Sequence, residues 1–409
     1  MSQSTHSSGL PDIEDGGKRL YAWLAAIAIG LVIGLYGVVT LFLEGTIATG
    51  IDSQAPWGIL ISTYVFFALL STGICIGVVA LAGVFGLKKY EPLVKRGVLL
   101  AIATLAAGLL VIFVSLGHQQ GMIHLLLSAN PGSPMWWMIV FYTIYMVALL
   151  AEFYLLERNG ASKLSVSLLA LLAPIAAGTT LGAIFGTSIR PYYADVFGPV
   201  YLVLTAVLSG VALIAAVVIV ESKLAGGTLE DARQELVTET LGKYLGLLLG
   251  ITIVTVAWKY IMGLTATNNA MAAAHEYMLF GPPSWWVWTF GIVLGLVVPF
   301  ALVATSRTRS VNGVLAASVL VLVGMFASRL EYVLGGQVVS LTQDPSLQWP
   351  FVSYSPTGIE IAVVILGIAV FALLYTAGRL LFDLDEVPDH DVKTPSTPSP
   401  AVTGGDDDD

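Results

Sequence analysis

Phe-Gly-Pro-Val-Tyr-Leu-Val-Leu-Thr-Ala-Val-Leu-Ser-Gly-Val-Ala-Leu-Ile-Ala-Ala-Val-Val-Ile-Val occupies residues 197–220 and contains no charged side chain. At 1.5 Å of rise per residue, a helix of that length spans a hydrocarbon core of about 30 Å. The segment reads as a membrane-crossing helix, and it decides the class of the chain.

Working outward, a hydropathy walk finds nine more such segments. The ten expected spans are 20–43, 57–87, 97–117, 135–157, 164–186, 197–221, 244–264, 285–305, 312–334 and 355–382. The polar stretch 226–242, with Glu230, Asp231, Arg233, Glu235 and Glu239, reads as a short surface helix between spans 6 and 7. Composition agrees with this class. Hydrophobic residues make up 56% of the 409, charged residues 11%, and mean hydropathy is +0.85. Soluble domains carry about 25% charged residues, so a water-facing globule is excluded. The lone cysteine, Cys75, excludes a disulfide scaffold, a cysteine-held zinc site and an iron–sulfur cluster.

Charge placement orients the spans. Of 18 lysines and arginines, fifteen fall on the side that carries both ends, and Arg190 alone falls in the opposite loops. Lys259 and Arg329 lie within spans. By the positive-inside rule, both termini are expected in the cytoplasm, in a multi-pass plasma-membrane protein. Residues 1–19 read as a polar tail retained ahead of span 1. Residues 383–409 hold nine acidic side chains against one lysine and read as a solvated, disordered acidic tail. The membrane domain is therefore 20–382.

The chain reads as internally duplicated. Pro134-Met135-Trp136-Trp137 opens span 4, and Pro283-Ser284-Trp285-Trp286 opens span 8. Ala68-Leu69-Leu70-Ser71 in span 2 is echoed by Ala206-Val207-Leu208-Ser209 in span 6. The paired spans run in one direction, as in a parallel repeat of four helices.

Ionisable side chains inside a membrane are costly and mark function by default. Here they gather in the half opposite the termini: Lys259 and Tyr260 in span 7, Arg329 and Glu331 in span 9, Glu360 at the start of span 10, and Tyr64 about 10 Å into span 2. The adjoining loops add His118, His124, Arg190, Tyr192, Tyr193, Asp195, His275 and Glu276. Each has a plainer reading as an interfacial, belt or paired group. The inner third offers one exception to ordinary boundary charges, Glu152 in span 4. No histidine is central in a span, which argues against a di-haem anchor. No G-x-x-x-x-G-K-[ST] loop is present.

Several stretches resemble the NrfD/PsrC family, the quinone-reactive membrane subunits of molybdopterin oxidoreductases. They are Trp57 to Phe67 followed by Ser71-Thr72-Gly73; Asn130-Pro131-Gly132-Ser133-Pro134-Met135-Trp136-Trp137; Arg190-Pro191; and Arg329 through Gly336-Gln337 to Tyr354-Ser355-Pro356 with Glu360. The resemblance covers about residues 20–382.

It implies an all-α fold of two four-helix bundles plus flanking helices. It also implies a menaquinol or menaquinone site near the extracytoplasmic face, and no haem or iron–sulfur cluster in this chain. The implied partners on that face are a four-cluster ferredoxin-like iron–sulfur subunit and a molybdopterin catalytic subunit. Membrane lipids surround the chain, and nucleic acid is not a partner. Tyr64 stands where some members have a quinone-bonding histidine. Leu116-Gly117-His118 replaces an LGRP-like element, so His118 is expected to supply a titratable group. Tyr142 or Tyr145 of span 4 is the second quinone-facing aromatic. Glu360 and His118 are the expected proton-handling residues, with Arg329 and Lys259 near the quinone as charge partners.

The implied role is a membrane anchor, itself non-catalytic or quinol-oxidising, of a dimethyl sulfoxide or polysulfide reductase type complex in anaerobic respiration. Membership of an alternative complex III is the alternative within the family. A secondary transporter is the alternative outside it.

Overall fold

The computed structural model describes residues 16–117, 119–160, 162–193, 197–224, 231–341 and 351–384. The expected tails fall almost wholly outside the described residues. Within them lie ten helical segments long and apolar enough to cross a membrane: Gly17–Ala48, Ile59–Gly83, Lys88–Ser115, Pro134–Asn159, Leu164–Gly186, Phe197–Leu224, Arg233–Leu264, Ser284–Ala304, Val311–Gly335 and Gly358–Leu381. They are numbered spans 1 to 10. An even number of crossings puts both ends on one face, called here the terminal face. The other is the distal face.

Spans 2 to 5 pack as one four-helix bundle and spans 6 to 9 as a second, while spans 1 and 10 pair alongside span 3. Span 1 turns most of its surface outward, exposing Tyr21, Val32, Tyr36 and Leu43. In a bilayer, lipid tails cover such a face, so its apolar side chains need no protein partner.

The bundles meet where spans 2 and 6 cross. A Cβ on Gly73 would stand 1.8 Å from the Ala206 carbonyl oxygen, and one on Gly210 would stand 2.3 Å from the Gly73 carbonyl carbon. Only hydrogen side chains permit that backbone approach, the usual device where helices associate without water to drive them together. The duplicated tetrads ending at Ser71 and Ser209 lie beside this crossing, and both serines are buried. The repeat therefore marks the seam between the two halves.

One expectation is corrected. Residues 231–235 do not form a separate surface helix. They run through a π-helical turn, Leu236–Leu241, straight into span 7. No proline interrupts residues 231–264, and the wider turn keeps the main chain hydrogen-bonded where the polar start joins the apolar span.

Candidate functional site

The inward face of span 4 is the clearest sequence-to-site link. Tyr142, Tyr145, Leu149, Glu152 and Leu156 recur at intervals of three and four and are all buried. Met138 precedes them at the same spacing and packs against the core. This period places one stripe along a helix.

Its upper part meets span 2. The Tyr64 hydroxyl donates to the Met138 thioether at 3.2 Å, and the Tyr64 and Tyr142 rings meet edge to face with centroids 6.3 Å apart. The Tyr142 hydroxyl is buried facing the Tyr64 hydroxyl and makes no well-formed hydrogen bond among the described residues. One helical turn deeper, Tyr145 is fully buried. Its hydroxyl lies 2.8 Å from Ser71 Oγ, 2.9 Å from the Ser71 carbonyl oxygen and 3.1 Å from Cys75 Sγ. Tyr142 is thus tied only loosely, to Tyr64, whereas Tyr145 is fastened into the core by three close partners.

A cavity of about 120 Å³ opens at the distal end of the first bundle. Its walls come from the end of span 1 (Thr46, Thr49), the start of span 2 (Leu60, Ile61), the end of span 3 (Ser115, Gly117, Gln119) and Glu360. Leu60 and Ile61 precede Tyr64 by four and three residues, so Tyr64 lies one turn below them on the same helix face. His118 lies outside the described residues, but its neighbours Gly117 and Gln119 both line the cavity.

Glu360 is tied into the rim. Oε2 accepts the Gly50 and Thr357 backbone N–H groups, each at 2.9 Å, and Oε1 accepts the Tyr354 hydroxyl at 2.7 Å. With Thr357 it forms a capping box at the start of span 10, where a carboxylate also meets the positive end of the helix dipole. Tyr354 in turn accepts the Ile59 N–H at 2.9 Å, so one carboxylate fastens the start of span 2 to the start of span 10. Gln337 adds a second clamp. Its Oε1 accepts the Trp57 N–H and its Nε2 donates to the Trp57 carbonyl, both at 2.8 Å.

Lys259 and Arg329 belong to the second bundle. Lys259 Nζ stands 2.6 Å from Glu331 Oε2 and is ringed by Tyr192, Tyr201, Tyr260 and Tyr332, whose centroids lie 5.1–5.7 Å away. A charge pair inside a membrane requires this kind of enclosure, in which ring faces add cation–π attraction. Tyr192 donates to the other Glu331 oxygen and stacks on His275 with centroids 4.4 Å apart. Burial, and then the Lys259 ammonium, push the His275 imidazole down to about 4. Arg329 is 1% exposed and donates to Thr205 Oγ1 at 2.7 Å, while its Nε and Nη2 have no hydrogen-bond partner among the described residues. Arg329 and Glu331, two residues apart on span 9, thus face different partners.

The expected site residues therefore divide. Tyr64, Tyr142 and Tyr145 share the first bundle, Glu360 stands in the cavity wall above them, and Lys259 and Arg329 sit in the second bundle. Tyr354, Gln337 and Glu331 were not among the expected site residues. Gln337 and Tyr354 stood in quoted motifs, but nothing local tells which backbone a loop side chain will bind. Among the described residues, no three His, Cys, Asp or Glu side chains gather in a metal-binding group.

Ten spans and a buried polar site at one membrane face define a multi-pass membrane subunit. The family model described as polysulphide reductase, NrfD, matches residues 48–340. The chain belongs to the NrfD family. It is 27% identical to a Halobacterium salinarum protein named for the membrane component of a dimethyl sulfoxide reductase, across 92% of this chain and 94% of that one. It is 26% identical to a component of the selenate reductase of Mesobacillus selenatarsenatis, across 71% and 76% of the two chains. The Hdr-like menaquinol oxidoreductase integral membrane subunit of Archaeoglobus fulgidus is 26% identical across 91% and 95%. Together these make the chain a membrane anchor subunit of an oxidoreductase complex.

Proposed function

We propose that this subunit exchanges electrons between menaquinol in the bilayer and an iron–sulfur partner on the distal face, which passes them to a molybdopterin catalytic subunit. The observation that carries this reading is the pair of buried hydroxyls of Tyr64 and Tyr142, the latter without a well-formed hydrogen bond, one turn below a cavity at the membrane surface. A quinone headgroup is a flat ring with an oxygen at each end. It requires a slot and hydrogen-bond donors at fixed points, and leaving a buried hydroxyl unpaired costs about 1–3 kcal/mol that such an oxygen recovers.

In this reading the headgroup enters between spans 1, 2 and 3 and takes hydrogen bonds from Tyr64 and Tyr142. His118, flanked by two cavity-lining residues, receives or supplies a proton. Glu360 holds the rim in shape and presents a carboxylate to the cavity. Tyr145 supports the slot from below, while Arg329 and the Lys259–Glu331 pair lie in the second bundle, away from the slot. Oxidation of a quinol releases two electrons and two protons. The electrons require an acceptor within reach, which the distal iron–sulfur partner supplies. The relatives' names differ in the oxidoreductase to which each belongs, consistent with a terminal substrate that binds another polypeptide.

The test uses the complex purified through a tag on this chain and assayed with a menaquinol analogue. Tyr142→Phe keeps the ring and removes the hydroxyl. It should lower quinol-dependent electron transfer about tenfold, the equivalent of one hydrogen bond of about 1.4 kcal/mol, with assembly intact. Wild-type rates in both Tyr142→Phe and Tyr64→Phe would place the quinol elsewhere. Reporter fusions at residues 125 and 270 should read as extracytoplasmic and those at 92 and 232 as cytoplasmic. The reverse would put the partners on the other side.

A further inference from the structure

Below the tyrosines, the same stripe of span 4 ends in a carboxyl that the proposed quinol chemistry leaves unused. Glu152 is 0% exposed. Its Oε1 accepts the Ser167 hydroxyl of span 5 at 2.9 Å, and its Oε2 has no hydrogen-bond partner among the described residues. Span 2 faces it across Gly83, where a Cβ would stand 3.8 Å from Oε1. Among the described residues, the nearest ion pair on span 4 is Lys95–Glu157 at 2.7 Å. It lies beyond Glu152 toward the terminal face and leaves Glu157 39% exposed.

A purely structural hydrogen bond to Ser167 would be made as well by glutamine, or replaced by two apolar side chains. A carboxyl with one free oxygen, set among neutral groups, is instead a place where a proton can arrive and leave. Its position fits that use. Glu152 lies ten residues below Tyr142, about 15 Å along the helix, and seven residues above the end of span 4, about 10 Å from water at the terminal face. Between the two levels stands the Tyr145 hydroxyl, 2.8 Å from Ser71 Oγ and 3.1 Å from Cys75 Sγ.

We infer that Glu152 is the proton-carrying residue that connects the interior of the first bundle to the terminal face. This rests on the quinol reading above. Each quinol oxidised gives two electrons to the iron–sulfur partner and frees two protons. Glu152 takes up these protons one at a time on Oε2, its carboxylate becoming a carboxylic acid, and each time returns to carboxylate by releasing the proton to water at the terminal face. In quinone reduction the same steps run backward. No electron passes through Glu152, and Ser167 is a positioning residue that holds Oε1.

The test reconstitutes the whole complex into vesicles with one pH dye trapped inside and another outside, and drives it with a menaquinol analogue. Wild type should release protons at the terminal face. Glu152→Gln should move release to the distal face or slow turnover about tenfold, and Glu152→Asp should restore most of both. Infrared difference spectra between the oxidised and reduced complex should lose a carboxyl carbonyl band in Glu152→Gln. An assembled Glu152→Gln complex with wild-type rate, sidedness and spectrum would overturn the inference. Should that variant fail to assemble, Ser167→Ala carries the same measurement: slowed terminal-face release supports the inference, and wild-type release overturns it. Absence of quinol-dependent electron transfer in the wild-type complex would instead overturn the reading on which it rests.

Discussion

The two bundles share a helix order and an echoed sequence, yet their interiors have diverged in kind. Above its terminal end, where buried Lys95 and Arg96 pair with Glu157 and Glu221, the first holds neutral hydroxyls, Tyr64, Tyr142, Tyr145 and Ser71, with the Glu152 carboxyl below them, and it opens at its distal end into a cavity. The second holds a lysine–glutamate pair, a buried arginine and four tyrosine rings, and its distal end is stoppered by Tyr192, Tyr193 and His275. Tyr193 donates to the Val333 carbonyl, and its ring lies where a Cβ on Gly336 would need to be. Each bundle packs four spans. In the second an ion pair and its tyrosines tie up most polar groups and leave two Arg329 nitrogens over, and in the first the Tyr64–Tyr142 pair lies beneath a cavity.

The sharpest way to break this comparison is at Glu331. Glu331→Leu leaves the buried Lys259 ammonium without its counter-ion, which should destabilise the protein by about 3–5 kcal/mol, read as the midpoint of unfolding in a denaturing detergent series. The double variant Lys259→Met with Glu331→Leu should recover most of that loss and keep quinol-dependent electron transfer. A folded double variant without electron transfer would mean that the second bundle takes part in the chemistry.

A smaller effect separates two buried tyrosines. Tyr192→Phe removes a hydrogen bond to a charged carboxylate and should cost about 1.5–3 kcal/mol, whereas Tyr145→Phe loses neutral bonds worth about 0.5–1.5 kcal/mol. The same unfolding midpoints decide it. An equal loss at both would show that the ion pair needs no third partner.

The effect confined to acidic conditions is one of pH. The His275 value of about 4 lies below the ordinary 6.5 of an imidazole. The neutral ring therefore contributes stability that is present above pH 6.5 and lost as pH falls toward 4, because the unfolded chain takes up the proton first. His275→Phe keeps the stack on Tyr192 and should flatten the fall in thermal midpoint between pH 6.5 and 4 relative to wild type. An unchanged pH profile would remove His275 from the account of the distal stopper.

The ten spans were legible because hydrocarbon thickness sets helix length, and a run such as residues 197–220 admits no other reading. The helix start at Thr357, with Glu360 three residues on, is likewise a local signature. The stripe Met138, Tyr142, Tyr145 and Glu152 was present at helical spacing, but spacing alone does not tell a lipid-facing stripe from an inward one. The grouping of Tyr64, Glu360, Lys259 and Arg329 by depth says nothing of which bundle each residue joins, because depth is measured along a helix and bundle membership across it.

Sequence by itself thus determined the class, the crossings and the family, all of which rest on local composition or order. Only tertiary structure decided which polar groups meet. Lys259 and Glu331 are 72 residues apart and Gly50 and Glu360 are 310 apart, and each pair exists because the helices bring the two partners to 2.6 and 2.9 Å. Hydrogen bonds and ion pairs act over a few ångströms, while the sequence records neighbours along the chain. That Tyr64 and Tyr142 meet beneath a cavity is a property of packing, and no span carries that information alone.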